Sequence, residues 1–115
     1  MLMAHFASQA AEQLAGEGID VEVIDIRSLS PFDYETIGTS VRKTGRALIV
    51  EEGPQTGGVG AELTAGISER CGDGLLSPVM RVASADVPAP FSPLLEDNYR
   101  PNVNRICDAV RRLVN

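Results

Sequence analysis

Residues 46–52 read RALIVEE, four apolar side chains in a row from Ala47 to Val50 and then two carboxylates. Successive side chains of a strand point to opposite faces, so a strand here is apolar on both sides. Such strands belong in sheets covered on both faces, which is the habit of parallel sheets threaded through helices. One short run therefore constrains the fold class more than any bulk property.

The flanking segments agree. Met3, Phe6, Ala7, Ala10, Ala11 and Leu14 recur at helical spacing, and Gly16 and Gly18 close that helix. VEVIDI (21–26) has the β-branched character of a strand. Ser30-Pro31-Phe32-Asp33 offers a cap, a first-turn proline and an acid for the positive helix end, with Ile37 and Val41 inward and Gly45 as the stop. After the glycine-rich loop, Val59, Leu63, Gly66, Ile67 and Arg70 share a helix face, and VMRVAS (79–84) predicts a third strand. Residues 88–93 hold three prolines, which exclude helix and central strand. Val103, Ile106, Cys107, Val110, Leu113 and Val114 form a last helical stripe behind a capping Asn102. The order α-β-α-β-α-β-loop-α predicts right-handed crossovers and a parallel sheet between helices. With 115 residues and no internal repeat, residues 1–115 form one domain.

Composition narrows the function. Sixteen acids against ten bases give a net charge of -6, a surface that repels a nucleic-acid backbone. No apolar run is long enough to cross a membrane. Cys71, Cys107 and a single histidine, His5, do not make a zinc site, and two buried thiols are expected.

The stretch VEEGPQTGGVGAEL (50–63) resembles a phosphate cradle and fails each template. Gly53 to Gly58 has P-loop spacing, but Val59 and Gly60 stand where lysine and hydroxyl belong. The dinucleotide fingerprint has Leu63 in place of its third glycine. Glu51 and Glu52 stand ahead of the loop and repel an anion. The loop is read as close packing of a helix start on a strand end; the alternative is a stand-alone small-molecule or anion-binding α/β domain using residues 53–60. Gly72-Asp73-Gly74, with Asn102 or Asn104 downstream, starts like a thiamin diphosphate motif, but the triplet closes a helix instead of ending a strand. His5 has no visible partner, Arg111 and Arg112 suit a helix C-terminus, and Asp86, Glu96 and Asp97 are read as solvated. Nothing here amounts to a catalytic constellation.

Taken in order, EGIDVEVIDIRSLSPFDYETIGTSVRKTGRALIVEEGPQTGGVGAEL and SPVMRVASADVPAPFSPLLED resemble the C-terminal domain of transketolase-type subunits. The nearest resemblance is to β subunits of pyruvate and other 2-oxoacid dehydrogenase decarboxylase components. It implies a three-layer α/β/α domain with a mostly parallel five-stranded sheet. In that family two strands and a pyrimidine-binding domain precede the first helix, so the chain is expected to lack a central strand. It should pair 21–26 directly with 46–52, leave an open slot, or self-associate. The resemblance also implies an assembly role, with an α subunit, a second β subunit and the peripheral subunit-binding domain of an acyltransferase core as partners. Thiamin diphosphate and magnesium belong to the parent enzyme; none is expected in this chain, which alone should be inactive. Candidate interface residues are Glu51, Glu52, Gly57, Gly58, Gly60 and Asn115. The expected location is cytoplasmic, with an organelle left open. A further rival reading is an interaction module using the proline-rich segment 87–93.

Overall fold

The computed structural model describes residues 2–27, 32–86 and 99–115. Its elements are helix α1 (Leu2–Ala15), helix α2 (Tyr34–Thr44), strand β1 (Leu48–Pro54), helix α3 (Val59–Cys71) with a 3₁₀ turn (Gly72–Gly74), strand β2 (Met80–Ser84) and helix α4 (Val103–Val114).

Local chemistry sets most boundaries. α1 ends where Gly18 turns left-handed at φ 80°, its N–H donating to Ala15 O and that of Ile19 to Leu14 O. Asp33 caps α2, its Oδ1 accepting from the Thr36 amide at 3.1 Å and its Oδ2 from the Thr36 hydroxyl at 2.7 Å. Gly45, at φ 78°, stops that helix. Ser30 and Pro31, expected in this cap, lie outside the described residues. Asn102 caps α4 through the Arg105 amide at 2.9 Å.

β1 and β2 pair in parallel, Leu48 beside Met80, Ile49 beside Arg81 and Val50 beside Val82. The alternation along β1 puts Ile49 into a cluster with Ile37 and Val41 of α2 and Leu63, Ile67 and Cys71 of α3. Leu48 and Val50 pack instead on Ala10 and Leu14 of α1 and Ile106, Cys107 and Val110 of α4. The sheet is thus sandwiched, α1 and α4 on one face and α2 and α3 on the other. Each wholly buried leucine, isoleucine or valine contributes about 1.5–3 kcal/mol. Cys71 and Cys107 are free thiols buried on opposite faces, too far separated by the sheet to bond. Val59, placed on the buried face of α3 from sequence, is exposed; Gly60 and Leu63 carry that face inward. Gly66 has no room for a side chain, because a Cβ would fall within the Tyr34 hydroxyl. The Tyr34 ring also lies under the Arg70 guanidinium at 4.1 Å.

The expected strand at 21–26 is absent. Residues 20–27 are irregular and form no backbone hydrogen bond among the described residues. Their side chains are still placed at the sheet: Val21 packs with the α1/α4 cluster and Ile26 with the α2/α3 cluster. β-branched character cannot hold a strand without a neighbouring strand to satisfy its backbone.

β1 shows the other side of the same gap. The Met80 amide donates to Ala47 O, so the odd-numbered residues at the start of β1 direct their backbone groups to β2. Leu48 and Val50 therefore turn their N–H and C=O groups to the opposite edge, where no described residue pairs with them. Of the three arrangements expected from sequence, direct pairing of 21–26 with 46–52 is not found among the described residues.

Candidate functional site

The glycine loop begins where β1 ends and is built around one carboxylate. Glu51 Oε2 accepts from the Gly60 amide at 2.9 Å, in the first turn of α3. A Cβ on Gly60 would lie 2.7 Å from Glu51 Oε1 and 3.2 Å from Ile49 Cγ2. One on Gly58 would meet Pro54 O and lie 2.7 Å from Glu51 Oε1. Glycine at both positions lets the carboxylate reach the helix N-terminus. Partial positive charge and unpaired amides gather there, so an anion is stabilised. In this chain the anion is Glu51 itself. Its Oε1 is shut from solvent without a hydrogen-bond partner among the described residues. The loop retains the form of a phosphate cradle, filled from within.

A second set of bonds ties the loop to β2. The Gln55 amide donates to Ser84 O at 3.2 Å, and Arg81 Nη1 donates to Gln55 O at 2.6 Å. The Ser84 hydroxyl donates to Glu52 O. Asp86 accepts from the Thr56 amide at 2.9 Å and from the Thr56 hydroxyl. Asp86, read from sequence as merely solvated, is the clasp of the loop. The short-range signal for this was weak, since the partners lie 30 residues apart.

The Thr56 hydroxyl and amide hold the Asp86 carboxyl below its ordinary range. Glu17 and Glu22 are lowered by their bonds to Arg111 and Lys43, and Asp33 by Thr36. Groups whose folded pKa is depressed stabilise the fold above their unfolded pKa and cease to as pH falls through the folded value. Thermal melting should therefore weaken as pH drops below about 4. An Asp86→Asn variant should lose less stability on acidification than the wild type. Parallel acid melts of the two proteins check this; equal slopes would remove Asp86 from the account.

The candidate interface residues do not form one patch. Glu51 is turned inward, Gly60 is buried and Gly58 is partly so. Glu52 is exposed, 3.9 Å from Arg100, and Gly57 is exposed with φ 71°. Asn115 follows α4 at the opposite end of the strand, where Arg46 Nε donates to Leu113 O at 3.1 Å. A seven-residue strand of about 20 Å separates those ends. Asn102 spends its side chain on the α4 cap, Asp73 is exposed in the 3₁₀ turn, and His5 is exposed on α1.

The residues present do not fit thiamin diphosphate. Glu51 occupies the glycine cradle at the start of α3, and among the described residues no three of His, Cys, Asp and Glu converge to hold a metal ion. No described helix is long and apolar enough to cross a membrane.

Comparison with known proteins agrees with this geometry. Residues 2–106 match the family described as transketolase, C-terminal domain. The chain is 51% identical over 111 residues to the pyruvate dehydrogenase E1 component subunit beta-2, chloroplastic, of Arabidopsis thaliana, covering 96% of this chain and 27% of that one. It is 50% identical over 107 residues to the 2-oxoisovalerate dehydrogenase subunit beta 2, mitochondrial, of the same plant, covering 93% and 29%. It is 42% identical over 106 residues to the pyruvate dehydrogenase E1 component subunit beta of Rhizobium meliloti (strain 1021), covering 92% and 23%. Among solved structures, a split gene transketolase described as an inactive beta4 tetramer superposes with TM-score 0.81 at 32% identity, over 97% of this chain and 35% of that one. The chain thus spans roughly a quarter to a third of the length of these relatives. It belongs to the transketolase C-terminal domain family, in the branch that contains the β subunits of pyruvate and related 2-oxoacid dehydrogenases.

Proposed function

We propose that this chain serves as the C-terminal assembly domain of the β subunit of a thiamin diphosphate-dependent 2-oxoacid dehydrogenase, pyruvate being the favoured substrate of the parent enzyme. That enzyme decarboxylates the 2-oxoacid and acylates a lipoyl group; this domain contributes interfaces and not chemistry. The observation that carries the reading is identity of about half the residues over nearly the whole chain to subunits of that name. The filled glycine cradle supports it, since the rival reading as an anion-binding domain needs that cradle vacant. The proline-rich rival rests on residues 87–93, outside the described residues.

The open edge of β1 is the assembly surface of first importance. When the chain is alone, a second copy takes the same edge. The tetrameric state of the structural relative is consistent with a domain that assembles. An α subunit and a second β subunit complete the proposed assembly. Its acidic surface suits the basic peripheral subunit-binding domain of the acyltransferase, with Glu52, Gly57 and Asn115 as the exposed contributors. Glu51, Gly58 and Gly60 act there by fixing the loop. A cytoplasmic home is proposed, while the plant relatives are chloroplastic and mitochondrial by name.

Calorimetric titration tests the functional reading. A peripheral subunit-binding domain should bind with an affinity that falls as salt rises, because opposite surface charges are screened. Thiamin diphosphate with magnesium should leave the amide signals of the loop at 53–60 unshifted in an NMR titration. Saturable shifts at that loop, with no binding of the partner domain, would hand the case to the anion-binding alternative.

A further inference from the structure

Beyond β2 lies a groove that the assembly reading does not use. Backbone groups of Met80 and Ser84 bond towards β1, so those of Arg81 and Ala83 point to the outer edge of the sheet. A cleft of about 410 Å³ is lined by Arg81 and Val82 of β2 and by Arg105, Asp108 and Arg112 of α4. Three of the ten basic residues of a chain with net charge -6 thus meet at one place.

Each charged group in the groove can be accounted for. Arg105 Nη2 donates to Ala83 O at 3.0 Å, and Arg81 Nη1 donates to Gln55 O at 2.6 Å. Both guanidiniums are held in place by neutral carbonyls, the Asp86 carboxylate lies near enough to Arg81 to feel its charge, and further N–H donors stay available. Asp108 is engaged by Arg111 Nη1 at 2.9 Å, and Arg111 is itself forked onto Glu17. Arg112 is exposed and has no hydrogen-bond or ion-pair partner among the described residues. Its place in the last turn of α4 suits the helix dipole, which explains a cation there but not its convergence with two others.

This arrangement also decides between kinds of ligand. A strand added to the outer edge needs alternating donors and acceptors, and Arg105 already occupies the Ala83 carbonyl. What the groove offers is donors and positive charge, the complement of a small oxyanion. We infer that the groove between β2 and α4, formed by Arg81, Arg105 and Arg112, is a binding site for a small multiply charged oxyanion, a phosphate or a polycarboxylate. It lies apart from the Glu51 cradle and from the open edge of β1.

The test is an NMR titration of the 115-residue chain with inorganic phosphate and, separately, with citrate, at low and moderate salt. Saturable shifts of the Arg81 and Val82 amides and the Arg105 and Arg112 Nε–H signals are expected with at least one of them. The ligand that saturates first identifies the anion class. Arg112→Gln should weaken binding about tenfold, as loss of one charged hydrogen bond does, and leave the spectrum of the fold unchanged. Arg112→Lys should recover part of it. No saturable shift with either anion, or shifts retained in full by Arg112→Gln, would overturn the site.

Discussion

Replacing Gly58 with alanine is expected to lower stability by about 1–3 kcal/mol, the usual cost of forcing a side chain into a filled space. The new methyl would fall onto the Pro54 carbonyl, a backbone atom that cannot swing aside, and onto the Glu51 carboxylate. Gly57→Ala is a different case. Among the described residues nothing lies within 4 Å of a Cβ at that position, so the cost there comes from its φ of 71°. Gly60→Ala should resemble Gly58→Ala, because its methyl meets Glu51 and Ile49. Urea melts of the three variants check the ranking. A Gly58→Ala protein as stable as the wild type would mean that Glu51 does not occupy the α3 N-terminus.

The second large effect concerns the unpaired edge of β1. The chain of 12.2 kDa is expected to sediment above its monomer mass at micromolar concentration. Exposed N–H and C=O groups on a flat apolar strand recruit another strand. Val50→Pro should weaken that association at least about tenfold, since proline removes the donor at the free edge. Ile49 and Glu51, which face β2, keep their pairing. Sedimentation of wild type and variant over a range of concentrations measures the effect.

How much of this was legible in the sequence depends on the range of each interaction. Caps and stops were readable because their partners lie within a few residues, as at Gly45 and Asn102. The apolar run Ala47–Val50 gave the three-layer arrangement because burial on both faces follows from strand geometry alone. VEVIDI misled in one respect: its residue types are those of a strand, but pairing is non-local and no described strand pairs with it. The resemblance to transketolase-type domains named an open slot as one of three arrangements for this edge. For the loop, the sequence showed that phosphate templates fail and that two acids precede it. It could not show that Glu51 turns back nine residues' distance to cap α3. The Asp86 clasp and the arginine groove are not legible in the sequence for the same reason, as each joins elements brought together only by the fold.

The central claim is that this domain works by assembly through the open edge of β1. Hydrogen exchange at the Leu48 and Val50 amides tests it most directly, measured on dilute and concentrated samples of the chain. Protection of these two amides should rise with concentration, while that of Ile49, paired to β2, stays constant. Exchange at Leu48 and Val50 that is unchanged by concentration, in a chain that nonetheless associates, would contradict the account.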